Sequence, residues 1–390
     1  MLKYGAALIA GALALSPVGV GAAGAAWEQW QSIKGVFDVD GPRSDGSLLV
    51  AGSAALYLVD PGGKQTPFAR GPGGYREDPG TEAYVAVSRG GAVTDAGCSF
   101  APDETFILRV HGPLGLTRVA AGGEESGSFN NLAGVTSLNG LAFDTTGLFD
   151  HRLLATGLNA GKTVVFAVDC TGAAKVLAKA LPAMEGGLAV APPTFGAFAG
   201  TLIAPDENSG QVYAVRPDGS SAVVVKPKLP TGGDIGVESV GFVPPGFLSR
   251  GGALYYADRA TANSPHPGSD SILRLASKDV AAAGVQEGDM LVATEGGAAL
   301  VAVRCATACG VVATITSATK AHGEGHIAFT VNPPPAGASP KPVATVTARP
   351  LVSPDAVDFI GTWGIPIGVA AISLLLVLGL GAQALRRRAR

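Results

Sequence analysis

Five apolar segments of this 390-residue chain open on an acidic or amide side chain. Glu82 precedes AYVAV, Asn139 precedes GLAFD, Glu185 precedes GGLAV, Glu238 precedes SVGFV and Glu324 precedes GHIAFT. Carboxylates brought to one place repel one another unless a proton or a cation intervenes. Carboxylate and amide oxygens are the donors that a hard cation such as Ca²⁺ takes, in preference to a soft metal. Two readings follow for Glu82, Asn139, Glu185, Glu238 and Glu324. One is a Ca²⁺-centred site; the other is a ring of solvated carboxylates bonded to water and backbone.

A second pattern lies in His322-Gly323-Glu324-Gly325-His326. Alternate residues of an extended strand face one side, so two imidazoles and a carboxylate can meet one metal. The glycines also allow the run to be a polar loop between strands. Asp206 to Gly210 reads as a hairpin turn, with Asn and Gly tolerating left-handed geometry, and a carboxylate there can still face the candidate site from behind. His266 sits in a Pro- and Gly-containing loop at 260–270 and reads as a loop residue. Cys305 and Cys309 are close enough for a local disulfide, whereas a Cys98–Cys170 pair is open, since connectivity does not follow from spacing.

Several chemistries find no support. No GxSxG elbow, Walker A run or HExxH occurs. Charged residues make up 15%, the net charge is −3, and no basic stripe interleaved with aromatics exists, which argues against nucleic acid as a partner.

The elements that position these residues form a repeat. Five copies align over fourteen residues from Leu56, Ile107, Val165, Val212 and Leu300, and a truncated copy, ILRLASKD, starts at Ile272. Each pairs two short apolar strands about a turn such as Pro61-Gly62-Gly63 or Pro217-Asp218-Gly219, which supplies the backbone angles a hairpin needs. Another short strand precedes most copies (SLLVAG, RLLATG, TLIAPDE, DMLVATE), GALYYADR precedes the truncated one, and the acid- or amide-headed segments lie further upstream. Four strands per repeat is the pattern of a β-propeller blade, whose leading strand lines the central channel. The five headed positions then point toward one mouth of that channel. The count allows five or six blades. The last leading strand, from Glu324, has no hairpin after it and is expected to complete the N-terminal blade by pairing with 48–69. The 254–275 hairpin is then an insertion or most of a sixth blade. A sixth leading strand would have to lie near 281–286, unless 35–39 provides one.

The repeats, and above all Leu138-Asn139-Gly140-Leu141-Ala142-Phe143, resemble the gluconolactonase/regucalcin and NHL-type group of β-propellers over about residues 35–331. In the lactonase branch an Asn before Gly at such a strand start ligates the catalytic divalent ion, with a Glu and an Asp from other blades. Asn139 matches that motif, and Glu185 and Glu238 match in position. The branch's Asp before Gly has Glu in its place here, and the opening Glu-Gly-Pro is missing. The resemblance implies an all-β propeller, Ca²⁺ as cofactor, and lactone hydrolysis as one activity to consider.

The ends of the chain speak of location. Residues 1–26, with Lys3, an apolar stretch and small residues at 21–26, have the form of an export signal. Residues 27–331 hold the propeller, and 332–360 form a Pro- and Ala-rich linker. The charge-free run at 363–385, within a span of 361–385, is long enough to cross a bilayer at about 1.5 Å per residue. The basic tail 386–390 is expected to stay cytoplasmic. The expected product is a single-pass cell-membrane protein with an extracytoplasmic propeller, acting as a binding or scaffold module for an extracellular protein, glycan or small molecule. The alternative is a Ca²⁺-dependent sugar-lactonase-like hydrolase.

Overall fold

Strands of two to twelve residues separated by Gly, Pro and Asp turns cannot bury both faces alone; in the computed structural model they gather, among the described residues, into six antiparallel sheets of four strands each. It describes residues 25–334, apart from 54, 71–74, 76–81 and 125. From the channel outward, blade 1 comprises Asp38–Asp40, Leu48–Gly52, Ala55–Val59 and Gln65–Phe68. Blade 2 comprises Val85–Val93, Cys98–Arg109, Gly115–Val119 and Ser126–Asn131. Blade 3 comprises Ser137–Phe143, Leu153–Asn159, Lys162–Val168 and Ala174–Leu181, and blade 4 comprises Ala189–Val190, Leu202–Asp206, Gln211–Val215 and Ser221–Val225. Blade 5 comprises Val237–Phe242, Met290–Thr294, Leu300–Cys305 and Cys309–Thr316. Blade 6 is assembled from three parts of the chain: Gly323–Val331 innermost, then Gly252–Asp258, Ser271–Ala276 and, outermost, Glu28–Ser32.

The innermost strands of successive blades touch, and those of blades 6 and 1 touch as well, so the ring is closed. Period-two alternation sends successive side chains to opposite neighbours. Leu48 and Val50 pack toward blade 6 with Tyr255 and Ile272, while Leu49 and Ala51 pack toward blade 2 with Val85 and Ile107. The result is one apolar core between each pair of neighbouring blades, six in all, rather than a single centre. Each fully buried Leu, Val or Phe in such a core contributes roughly 1.5–3 kcal/mol, so the interblade layers hold the ring.

The closure differs from the expected one. The C-terminal strand does not complete the N-terminal blade; it pairs with Gly252–Asp258, while Asp38–Asp40 gives blade 1 its own innermost strand. The 252–276 hairpin is both an insertion, lying in the chain between two strands of blade 5, and the middle of the sixth blade. The copy at Ile272 is truncated because its fourth strand comes from the other end of the sequence. Arg274 Nε and Nη2 hold the Glu28 carboxylate at 2.9–3.1 Å, 246 residues away. Residues Ser277–Ala282 form a short helix, so no strand starts near 281. In blade 2 the copy from Ile107 spans the second and third strands rather than the third and fourth.

Both disulfides are formed. Cys305–Cys309 crosses the hairpin of blade 5, and Cys98–Cys170 ties blade 2 to blade 3. The latter spans 72 residues, a loop whose closure stabilises the fold by about 4 kcal/mol in the chain-entropy account. Residues 1–24 of the expected export signal, the expected linker beyond Pro334, the apolar run 361–385 and the basic tail lie outside the described residues. Among the described residues no helix is long and apolar enough to cross a membrane.

Candidate functional site

In an antiparallel blade the first strand begins where the second ends, so both ends lie at one mouth of the channel. The first-strand starts bring Glu82, Asn139, Glu185, Glu238 and Glu324 there. The second-strand ends add Glu207, Arg259 and Glu295, each one residue past its strand. Backbone irregularity aims them inward. The register between the first two strands shifts between Leu138 and Gly140 in blade 3 and between Val237 and Ser239 in blade 5, leaving Asn139 and Glu238 as the extra, unpaired residues. A bulge of this kind turns one side chain out of the alternation. Blade 4 approaches through Glu185-Gly186-Gly187. The Gly186 amide donates to the Asn139 carbonyl at 2.9 Å and that of Gly187 to the Glu238 carbonyl at 3.0 Å. A Cβ on Gly186 would stand 1.8 Å from the Glu238 carbonyl oxygen, so only glycine allows this approach.

The acids form a connected chain. Glu207 lies between Glu185 and Glu295, close enough to each for their charges to act on one another. His322 Nε2 lies 2.9 Å from Glu295 Oε1 and 3.4 Å from Glu324 Oε1. Arg259 Nη1 bridges Glu324 at 3.2 Å and Glu82 at 2.9 Å, with its guanidinium 5.4 Å from the Phe37 ring centroid. Tyr84 donates its hydroxyl to Glu238 Oε1 at 2.7 Å. The ligand atoms of Glu295, His322 and Glu324 all lie within 4.8 Å of one another, and so do those of Glu207, Glu238 and Glu295. Glu238, Glu295 and Glu324 are buried, Glu185 and Glu207 half-buried, and the Glu82 side chain is 62% exposed at the rim.

Burial and mutual repulsion mark the electrostatics. Glu185 is pushed up to about 7, first by burial and then by Glu207. Burial, reinforced by Glu324 and Glu295, drives Glu238 well above the carboxylate range. Burial also raises Glu207, Glu295 and Glu324. Burial opposes charge on His322, but Glu295 and Glu324 outweigh it and push the imidazole up to about 10. Two buried atoms here lack a hydrogen-bond partner, Asn139 Oδ1 and His322 Nδ1, while Asn139 Nδ2 donates to the Met184 carbonyl at 3.2 Å. The site is thus rich in oxygen acceptors and poor in donors, with one imidazole among them.

The structure brings all five sequence-selected residues to this mouth and adds three. Glu207, Arg259 and Glu295 were visible as the last letters of TLIAPDE, GALYYADR and DMLVATE, a charged residue recurring at one position of the repeat. That recurrence is the signal that identifies them. The three-residue metal pattern in 322–326 does not form, and the segment is not a loop either. Gly323–Val331 is a strand, and Gly325, at φ 70°, breaks its alternation. His322 and Glu324 stay at the mouth, while His326 turns to the interior of the channel. There its Nδ1 lies 3.0 and 2.9 Å from the two Asp38 oxygens and its Nε2 lies 2.6 Å from the Leu141 carbonyl. Asp206–Gly210 is the expected hairpin turn, with Glu207 reaching the site from it. His266 is held in its loop, Nδ1 to the Thr319 carbonyl at 2.8 Å.

Protein-family models and curated proteins give no match to this sequence. Solved structures do. A structural-genomics protein described as a candidate gluconolactonase is 11% identical at a TM-score of 0.44, over 78% of this chain and 85% of its own. Virginiamycin B lyase from Staphylococcus aureus is 12% identical at 0.42, over 77% and 94%. A protein from Lactobacillus plantarum is 13% identical at 0.40, over 76% and 88%. At these values the likenesses carry no chemical argument, and the propeller rests on the strand pairing above.

Proposed function

We propose that the chain is a cation-centred binding propeller, displayed outside the cytoplasm on a single span at 361–385, whose mouth holds Ca²⁺ and presents the surrounding loops to an extracellular protein, glycan or small molecule. The observation that carries this reading is Asn139 Oδ1, an amide oxygen buried without a donor beside Glu185 in a site where carboxylates outnumber cations. An acceptor surplus of this kind is costly unless a proton or metal supplies positive charge, and amide and carboxylate oxygens are Ca²⁺ ligands. Asn139, Glu185 and Glu238 would hold the ion, with Glu82 adding charge from the exposed rim and Glu324 from the buried side of the mouth. Bound Ca²⁺ would neutralise the acids and fix the relative positions of blades 3, 4 and 5.

Metal analysis and thermal melting of the full chain, with Ca²⁺ and after chelation, test this. Ca²⁺ at a hundred times its dissociation constant is expected to stabilise the protein by about 2.7 kcal/mol, and Glu185→Gln and Asn139→Ala are each expected to weaken binding. Absence of bound metal together with an unchanged melting temperature would overturn the reading.

A second reading, a Ca²⁺-dependent lactonase-like hydrolase, draws on Glu185. With Glu185, Asn139 and Glu238 holding the cation, the ion would polarise a carbonyl and a neighbouring carboxylate would serve as general base. Against it, Glu238, Glu295 and Glu324 are each less than 10% exposed, which leaves an ion among them few positions open to a substrate. Hydrolysis of sugar lactones that disappears in Glu185→Gln would favour this second reading.

A further inference from the structure

The ligand atoms at the mouth fall into two sets. Glu207, Glu238 and Glu295 form one; Glu295, His322 and Glu324 form the other; Glu295 belongs to both. The sets differ in chemistry. The first is all oxygen and adjoins Glu185 and Asn139. The second contains an imidazole nitrogen, 2.9 Å from Glu295 and 3.4 Å from Glu324.

His322 is 2% exposed, its side chain is aimed into this cluster, and its Nδ1 has no hydrogen-bond partner. A divalent cation at Nε2 would neutralise the two carboxylates that already face that nitrogen, Glu295 and Glu324. The ring is also held from behind. The His322 backbone N–H donates to Asp258 Oδ1 at 2.8 Å, and its carbonyl accepts from the Arg259 N–H at 2.8 Å. Arg259 in turn restrains Glu324.

We propose that the mouth is a two-cation site in which Glu295 bridges the oxygen-only position to a second position formed by Glu295, His322 and Glu324. A nitrogen with two carboxylate oxygens suits a borderline divalent ion such as Zn²⁺, Mn²⁺ or Co²⁺, and Ca²⁺ less well. The bridging role of Glu295 rests on the Ca²⁺ reading, whereas the position formed by Glu295, His322 and Glu324 goes beyond that reading and stands without it.

Co²⁺ is the probe, because its ligand-field bands shift and intensify when a nitrogen ligand or a lower coordination number replaces a shell of water. The metal-free full chain, saturated with Ca²⁺, is titrated with Co²⁺, and both metals are counted after desalting. The expected result is one Co²⁺ bound without loss of Ca²⁺, with a visible spectrum. Displacement of Ca²⁺ by Co²⁺ one for one, or the lack of any bound Co²⁺, would overturn the proposal. His322→Gln is expected to lower Co²⁺ affinity at least a hundredfold and Ca²⁺ affinity less than threefold; unchanged Co²⁺ affinity would also overturn it. The wild-type count needs no variant, so it stands even where His322→Gln fails to fold. Co²⁺ bound through His322 in a protein that takes no Ca²⁺ would remove the Ca²⁺ reading and leave this position standing.

Discussion

His322 and His326 lie four residues apart, one just before and one within the strand Gly323–Val331, both buried and both beside carboxylates, yet their surroundings differ in kind. Every hydrogen-bonding atom around His326 is matched. Asp38 takes both the ring and the backbone N–H of His326 and also the N–H groups of Val39 and Val85, while the Leu141 carbonyl takes the other ring nitrogen. Blades 6, 1, 2 and 3 are pinned together through that one pair. Around His322 the carboxylates outnumber the donors, and one ring nitrogen has no partner. Charge and burial are similar in the two places; satisfaction is what separates them. A fully satisfied buried network specifies the fold, whereas an unsatisfied one keeps a capacity for a ligand.

The largest test breaks the matched pair. Asp38→Ala leaves the imidazolium buried and unpaired, and urea unfolding is expected to show a loss of about 3–5 kcal/mol. A loss below about 1 kcal/mol would erase the distinction between the two histidines. Next comes pH. Burial lowers the His326 value, but Asp38 outweighs it and raises the group to about 9 from an ordinary 6.5. A raised value means that its stabilisation is complete below about 6.5 and is lost as pH climbs through 9. His326 is therefore expected to contribute roughly 3 kcal/mol to the stability lost by the cation-free protein between those limits, and Asp38→Ala is expected to remove that contribution while leaving the one from His322, whose value is also raised.

A smaller effect is expected at the residue that separates the two sites. A Cβ on Gly325 would lie 2.3 Å from Asp38 Oδ1, and the residue is at φ 70°. Gly325→Ala is expected to cost about 2 kcal/mol and to weaken the Asp38–His326 pair specifically, visible as a loss of the high-pH step. The smallest effect has the opposite sign. Glu238→Gln removes a buried carboxylate from among its like, so it is expected to stabilise the cation-free protein by about 1 kcal/mol while lowering Ca²⁺ affinity at least tenfold. A destabilised variant would mean that Glu238 belongs with the matched network and not with the site.

Much of this was legible in the chain. The headed segments at Glu82, Asn139, Glu185, Glu238 and Glu324 stood out because each opens a channel strand, and a strand start is announced by its neighbours in sequence. Glu207 and Glu295 were written in the repeat but masked by their place at strand ends, where a charged residue reads as an ordinary turn. Neither the metal convergence nor the loop that 322–326 allows is found, because Gly325 takes a left-handed backbone against the Asp38 main chain within a strand, and that packing is not written in the neighbouring letters.

Near-neighbour chemistry alone determined the strands, the turns, the repeat and the concentration of oxygen donors at one strand end, since period-two burial and turn geometry act over a few residues. Only the tertiary structure decided that Glu28–Ser32 and Gly323–Val331 share a blade with an inserted hairpin, and that one histidine is locked while the other faces surplus acid. Any short apolar strand can add to any open edge. Which edge it takes, and which side chains then meet, follows from closing the whole ring with every interblade face covered.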